Sequence, residues 1–303
     1  MNDSILAVDG GQSTIRVRHS DGRSASVPGV SWAGPGTIDA VAARIGEAWN
    51  AAGAPDVDVA VLGLTTVPPD DASRLLAGLV SDSIGANRIV ICDDGVTTHA
   101  GVLGGNWGIA LAVGTGVACV AAAPSGSASI IGGHGYLLGD EGGGFWLGRA
   151  GIGAALRAHE GRAPNTALTG KAVDDFGDLA DLHVRLAADT RAVDRIAQFA
   201  PAVVEASEHG DAVAARIVAA GVAELVDVAR AAWHAAGERP TTPTVVTGRL
   251  ASVLGDHLRS ALSTIEGIDL RPAAGDALDG GLALTGVATR YDDLIHTWTR
   301  EPT

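Results

Sequence analysis

Apolar and polar positions along the chain predict one element order, met twice. The apolar run 5–8 stops at Asp9-Gly10-Gly11, and after Gln12-Ser13-Thr14 the alternation Ile15, Val17 resumes. This reads as a strand, a tight glycine turn and a second strand. Residues 24–27 extend it as an edge strand before the loop 28–36. Thr37 then reads as an N-cap, and Ile38, Val41, Ala42, Ile45 and Trp49 fall at helical spacing up to Gly53. Residues 57–64 (VDVAVLGL) form a buried-strand pattern ended by Thr65-Thr66-Val67-Pro68-Pro69. A helix over 70–83 carries Leu75, Leu76 and Leu79, and a strand over 88–92 stops at Asp93-Asp94-Gly95. The order is βββαβαβ.

From Trp107 the order returns. The apolar run 109–113 meets Gly114-Thr115-Gly116 and continues over 117–122, with another strand at 128–131. A long helical insertion follows, broken near 161–174 and 187–191. Its last member, 212–236, carries Ile217, Val218, Leu225, Val226 and Val228. A strand at 244–247, a helix at 250–264, a short strand at 268–270 and a helix at 277–288 complete the second half. Two strand–turn–strand units about a hundred residues apart predict an α/β protein of two related domains, 1–105 and 106–303, divided at the glycine-rich 101–105 and sharing a cleft.

Composition narrows the partners. The 303 residues are 47% hydrophobic, enough for two cores, and 35 acidic against 21 basic residues give a net charge of −14. That balance disfavours nucleic acid and anionic membranes. Residues 95–139 hold no Asp, Glu, Lys or Arg, but their many Gly and Ser residues argue for buried strands and loops rather than a spanning helix. Cys92 and Cys119 end apolar runs and read as buried reduced thiols, and the N-terminus lacks the basic and apolar regions of a leader, so a cytoplasmic protein is expected. Lys171 is the sole lysine. Asn165 and Ala172 occupy the places where a Walker loop needs Gly and Ser or Thr, there is no G-x-S-x-G elbow, and His159-Glu160 lacks the second His of a zinc helix. A nucleotide phosphate would be held here by backbone and hydroxyls.

Such a hold is available at the first turn. Gly10 and Gly11 let N–H groups approach an anion closely, Ser13 and Thr14 add hydroxyls, and Asp9 could hold Mg²⁺ through water. An ordinary β-turn is the alternative. Asp93 and Asp94 end a strand where open α/β sheets gather ligand groups; one could act as a base, or the pair could cap the helix starting near Val96. Residues 131–148, IGGHGYLLGDEGGGFWLG, surround Asp140 and Glu141 with glycines and with Tyr136, Phe145 and Trp146. Carboxylates beside aromatic rings suit polyol recognition, whereas the same acids could simply cap a helix. Gly248 and Arg249, between a strand and a helix, could line a nucleoside or be a plain connection. Asp279-Gly280-Gly281 could line the same pocket.

Taken together, ILAVDGGQST, ICDDG, ALAVGTGVAC, GGHGYLLGDEGGGFWLG and VVTGRL resemble the N-acetylglucosamine kinase branch of the BadF/BadG/BcrA/BcrD ATPase family, within the sugar kinase, Hsp70 and actin superfamily. The resemblance implies two ribonuclease H-like, actin/hexokinase-like domains with mixed sheets flanked by helices, closing over ATP–Mg²⁺ and a sugar. It implies phosphate contacts from Gly10, Gly11, Gln12, Ser13 and Thr14 and from Gly114, Thr115 and Gly116. It also implies the base at Asp94, adenosine contacts at Gly248 and Arg249, and sugar contacts at Thr65, Ser31, Trp32, Asp94, Thr115, Asp140 and Glu141. The chain departs from the family pattern at His134, Val117 and Ser31, two of them near the sugar side. The function expected is an ATP-dependent kinase of N-acetylglucosamine or glucosamine acting on the 6-hydroxyl, with a homodimer left open. The rival is a nucleotide-dependent sensor or activator ATPase of the BadF type.

Overall fold

The computed structural model describes residues 3–30, 36–287 and 290–300. Its first sheet is built as the alternation predicts: β1 (Ile5–Gly10), β2 (Thr14–His19), β3 (Ser24–Pro28), β4 (Val59–Leu64) and β5 (Arg88–Asp93), in spatial order 5-4-1-2-3. β1, β4 and β5 are parallel, and β2 and β3 run antiparallel beside them. Successive side chains of a strand face opposite sides. Leu6, Val8, Ile15 and Val17 therefore pack with Val41, Ile45, Leu76 and Val80 of α1 (Thr37–Ala51) and α2 (Asp70–Ile84). Val59, Val61, Val90 and Cys92 pack on the other face with Val96 and Ala100 of α3 (Asp94–Val102) and with Leu284. The α1 N-cap is Gly36, with a left-handed φ of 82°, rather than Thr37.

The second sheet contains β6 (Gly108–Val113), β7 (Val117–Ala122), β8 (Ala128–Gly132), β9 (Thr242–Thr247) and β10 (Ile268–Leu270), in order 10-9-6-7-8. Between β8 and β9 lies the helical insertion: α4 (Gly135–Leu138), α5 (Gly144–His159), α6 (Leu168–Phe176), α7 (Leu182–Ala187), α8 (Ala192–Ala197), α9 (Ala200–Glu208) and α10 (Ala212–Ala235). The break expected at 187–191 is present, but α6 occupies much of the stretch 161–174, because Leu168, Ala172 and Phe176 recur at helical spacing and are buried. Asp211 caps α10 by accepting from the N–H groups of Val213 and Ala214, 2.9 Å each. After β9 comes α11 (Arg249–Leu262).

The chain end departs from the expected duplication. Two compact units emerge, Met1–Ala110 with Val120–Ser129 and Pro272–Thr303, and Leu111–Cys119 with Ile130–Arg271. The last helix, α12 (Ala277–Val287), thus belongs with the first half, where it packs on α3, β1 and β4. Gly101 and Gly280 make this possible, since a Cβ at either would strike the facing backbone at Asp276 or Thr97. Arg18 adds an ion pair to Asp276 (3.0 Å) and one to Asp279 (2.6 Å) at the start of α12. A strand the alternation did not predict, β11 (Ile295–Thr299), then joins the free edge of β5 antiparallel. Among the described residues no helix is long and apolar enough to cross a membrane.

Candidate functional site

In unit 1 the groups of interest converge at the carboxyl ends of β1, β4 and β5. The first turn is closed by Gly11 N–H donating to the Thr14 carbonyl at 3.0 Å, and Gly29 N–H donates to the Ser13 carbonyl at 3.0 Å. Gln12, Ser13 and Thr14 are exposed. Gly29, which the sequence reading passed over, lies so close to the carbonyls of Gly11 and Gln12 that a side chain there would displace the turn. Thr65, just past β4, donates its N–H to the Gly10 carbonyl at 3.2 Å. Its hydroxyl donates to Oδ2 of Asp94 at 2.7 Å. The structure therefore brings Gly10, Thr65 and Asp94 together, while Ser31 and Trp32 lie outside the described residues.

The two adjacent aspartates divide the roles that the sequence left open. Asp93, in extended backbone, caps α3 by accepting from Gly95 N–H at 2.8 Å. Asp94, the first residue of that helix, is freed to meet Thr65. Burial raises its pKa to about 6, the neighbouring charge of Asp93 adds to the rise, the Thr65 hydrogen bond opposes it, and Asp9 contributes a further rise. Asp9 itself is paired with Arg16, directly opposite it on β2, whose Nε lies 2.9 Å from Oδ2. Asp279-Gly280-Gly281 does not line this site: Asp279 holds Arg18 and the Asp276 N–H, and the glycines pack on α3 and on Ala7.

In unit 2 the turn Gly114-Thr115-Gly116 is closed by Gly114 N–H to the Gly116 carbonyl, 2.9 Å. The start of α5 is tied to it, with Gly144 N–H on the Gly114 carbonyl at 2.8 Å and Phe145 N–H on the Thr115 carbonyl at 2.9 Å. Asp140 does not cap α5, whose N-cap is Gly143 without a side-chain bond. Its carboxylate takes backbone hydrogen bonds from Val117 and Gly135, and burial still leaves its pKa above the ordinary value. Glu141 and Thr115 are exposed. Gly248, at a φ of 99°, lies against the carbonyl of Val113, the residue before the second turn. Gly248 and Gly114 are thereby neighbours, and Arg249 opens α11 on the exposed side.

A family model for the BadF/BadG/BcrA/BcrD ATPases matches residues 6–267. The chain belongs to this family. This BadF-family chain is 30% identical over 143 residues to the N-acetylmuramic acid/N-acetylglucosamine kinase of Clostridium acetobutylicum, and the match spans 46% of each chain. The chain thus matches about half the length of that relative. The solved structure of a candidate N-acetylglucosamine kinase from Chromobacterium violaceum superposes with a TM-score of 0.74 at 27% identity, covering 93% of this chain and 98% of that one. A ROK family glucokinase from Streptomyces griseus, solved with glucose and AMPPNP, superposes at 0.54 with 17% identity over 93% and 98% of the two chains. The α/β architecture is that of the sugar kinases and hexokinase.

Both cysteines of the BadF-family chain are buried free thiols, as their strand positions predict. Burial drives the pKa of Cys92 upward and pushes that of Cys119 up to about 12. Neither offers a surface thiolate ligand. Sequence reasoning missed Arg16 and Gly29. Arg16 could have been found by counting back across the hairpin from Asp9, once the turn length was taken as certain.

Proposed function

We propose that the protein is an ATP-dependent kinase of an amino sugar, N-acetylglucosamine or glucosamine, acting on the 6-hydroxyl. The observation that carries this reading is Asp94, a half-buried carboxylate held by Thr65 beside the first glycine turn, with its pKa raised to about 6. A general base serves best when it is ionised at working pH yet still basic. Asp94 accepts the proton of the sugar hydroxyl as that oxygen bonds to the γ-phosphorus and the bond to the ADP oxygen breaks. Phosphoryl transfer asks mainly for positioning and charge neutralisation. Gly10, Gly11, Gln12, Ser13 and Thr14 in unit 1, and Gly114, Thr115 and Gly116 in unit 2, offer donors for the phosphates. Gly248 and Arg249 serve adenosine, and Thr65, Ser31, Trp32, Thr115, Asp140 and Glu141 serve the sugar. The 30% identity over 143 residues to an N-acetylmuramic acid/N-acetylglucosamine kinase supports N-acetylglucosamine as the acceptor.

Mg²⁺ supplies charge neutralisation at the phosphates when bound. Among the described residues no group of three His, Cys, Asp or Glu side chains could cage a metal. A lone carboxylate such as Asp9 fits the ion nonetheless, because Mg²⁺ keeps several waters and takes its other ligands from phosphate. The test is ADP release in a coupled assay with glucosamine, N-acetylglucosamine, N-acetylmuramate and glucose. Amino sugars should stimulate release many-fold over ATP alone, and equal release with and without every sugar would leave the sensor ATPase as the better account.

A further inference from the structure

Asp9 is the candidate carboxylate for a divalent cation at the first turn, and in the structure Arg16 already occupies it. The two residues face each other across β1 and β2, and both the Nε and Nη2 groups of Arg16 donate to the same oxygen, Oδ2. A guanidinium fork on a carboxylate oxygen and a metal on that oxygen exclude each other. Arg18, two residues along and on the same face, is held between Asp276 and Asp279. Among the described residues Arg16 has a single carboxylate partner, and its side chain is 46% exposed against 28% for Arg18. It is the freer of the pair. The chain's sole lysine, Lys171, is paired with Glu205 in the helical insertion, so no lysine serves the turn.

We propose that Arg16 is an internal counter-ion: it neutralises Asp9 until Mg²⁺ arrives with the nucleotide and is then displaced by the metal. This rests on the kinase reading only in taking the first turn as a phosphate site. In the metal-free protein Arg16 cancels the Asp9 charge that would repel the phosphates, and with metal it competes for Asp9. Removing it therefore weakens metal-free binding and strengthens metal-dependent binding, and both changes enlarge one ratio.

The experiment measures the affinity of a fluorescent ADP analogue in Mg²⁺ and in EDTA for wild type, Arg16→Gln and Arg16→Lys. The ratio of the EDTA to the Mg²⁺ dissociation constant should rise at least two- to fivefold in Arg16→Gln, the worth of a partly exposed ion pair. In Arg16→Lys, which keeps the charge but loses the fork, it should fall between the two and serves if Arg16→Gln fails to fold. An unchanged or smaller ratio in both variants overturns the inference while leaving the kinase reading intact. Wild-type protein that binds the analogue in neither buffer refutes the kinase reading and this inference with it.

Discussion

Replacing Asp94 by asparagine should make the protein more stable while nearly abolishing its activity. Loss of a positioned base costs about 10²–10⁴-fold in rate, or about 3–5 kcal/mol in the barrier. The stability effect has the opposite sign. The carboxyl pKa rises from 3.8 to about 6 on folding, so the folded state binds the proton more tightly than the unfolded chain. The group's contribution is most favourable below pH 3.8 and is lost as pH rises through 6, amounting to about 3 kcal/mol at neutrality. Asparagine removes that charge. It also weakens the 2.7 Å hydrogen bond from Thr65, which returns about 1 kcal/mol, so a net gain of about 1–2 kcal/mol is expected at pH 7.5. Urea denaturation midpoints at pH 7.5 read the gain, and the coupled assay reads the loss. In the wild type, kcat/KM should climb about tenfold between pH 5 and 7.5 as the base ionises. A variant that keeps a tenth or more of the activity, a flat wild-type profile across pH 5–8, or a variant less stable than wild type at pH 7.5 would refute the assignment.

Thr65→Val removes the donor that holds the ionised form of Asp94, and should move the acid limb of the kcat/KM profile up by about half to one pH unit; Thr65→Ser should leave it in place. His99 makes the opposite linkage to Asp94. It is buried between the Tyr291 hydroxyl (2.7 Å) and the Gly108 carbonyl (3.0 Å), and burial lowers its pKa from 6.5 to about 4. The unfolded chain takes the proton first, so stability is lost as pH falls from 6.5 to 4, by about 3 kcal/mol in all. Over that range Asp94 gains stability while His99 loses it, so Asp94→Asn should lose more stability on acidification than the wild type; parallel curves in urea melts at pH 4.5 and 7 would count against this. Gly248→Ala puts a side chain at a φ of 99° and into the Val113 carbonyl, and should cost at least 1–3 kcal/mol in urea denaturation together with weaker binding of an ADP analogue.

Much of the candidate site was legible from residue order. Glycine turns after apolar runs located both loops, because few residues other than glycine let a strand reverse so tightly. Asp94 was singled out by its place at a strand's carboxyl end together with the family resemblance. Its distinction from Asp93 needed the backbone: one carboxylate turns back to the Gly95 N–H and the other forward to Thr65, and two adjacent acids carry no mark of which does which. Asp140 was expected either to meet a sugar or to cap a helix, and its carboxylate meets the backbone of Val117 and Gly135. That partnership spans 23 residues and depends on a left-handed backbone at Asp140, with a φ of 59°, which composition does not reveal.

The sequence by itself determined the period of the main strands and helices apart from α6 and β11, the two glycine hairpins and the repeated βββαβαβ order, since these depend on residues within a turn or two of each other. Only the tertiary structure decided that α12 and β11 return to the first sheet, that Arg16 rests on Asp9, and that Gly29 abuts the first turn. Those outcomes turn on strand register and on backbones meeting across long loops. A glycine, an arginine or an edge strand is locally compatible with several partners, and the choice falls to the packing that leaves the fewest buried polar groups and voids.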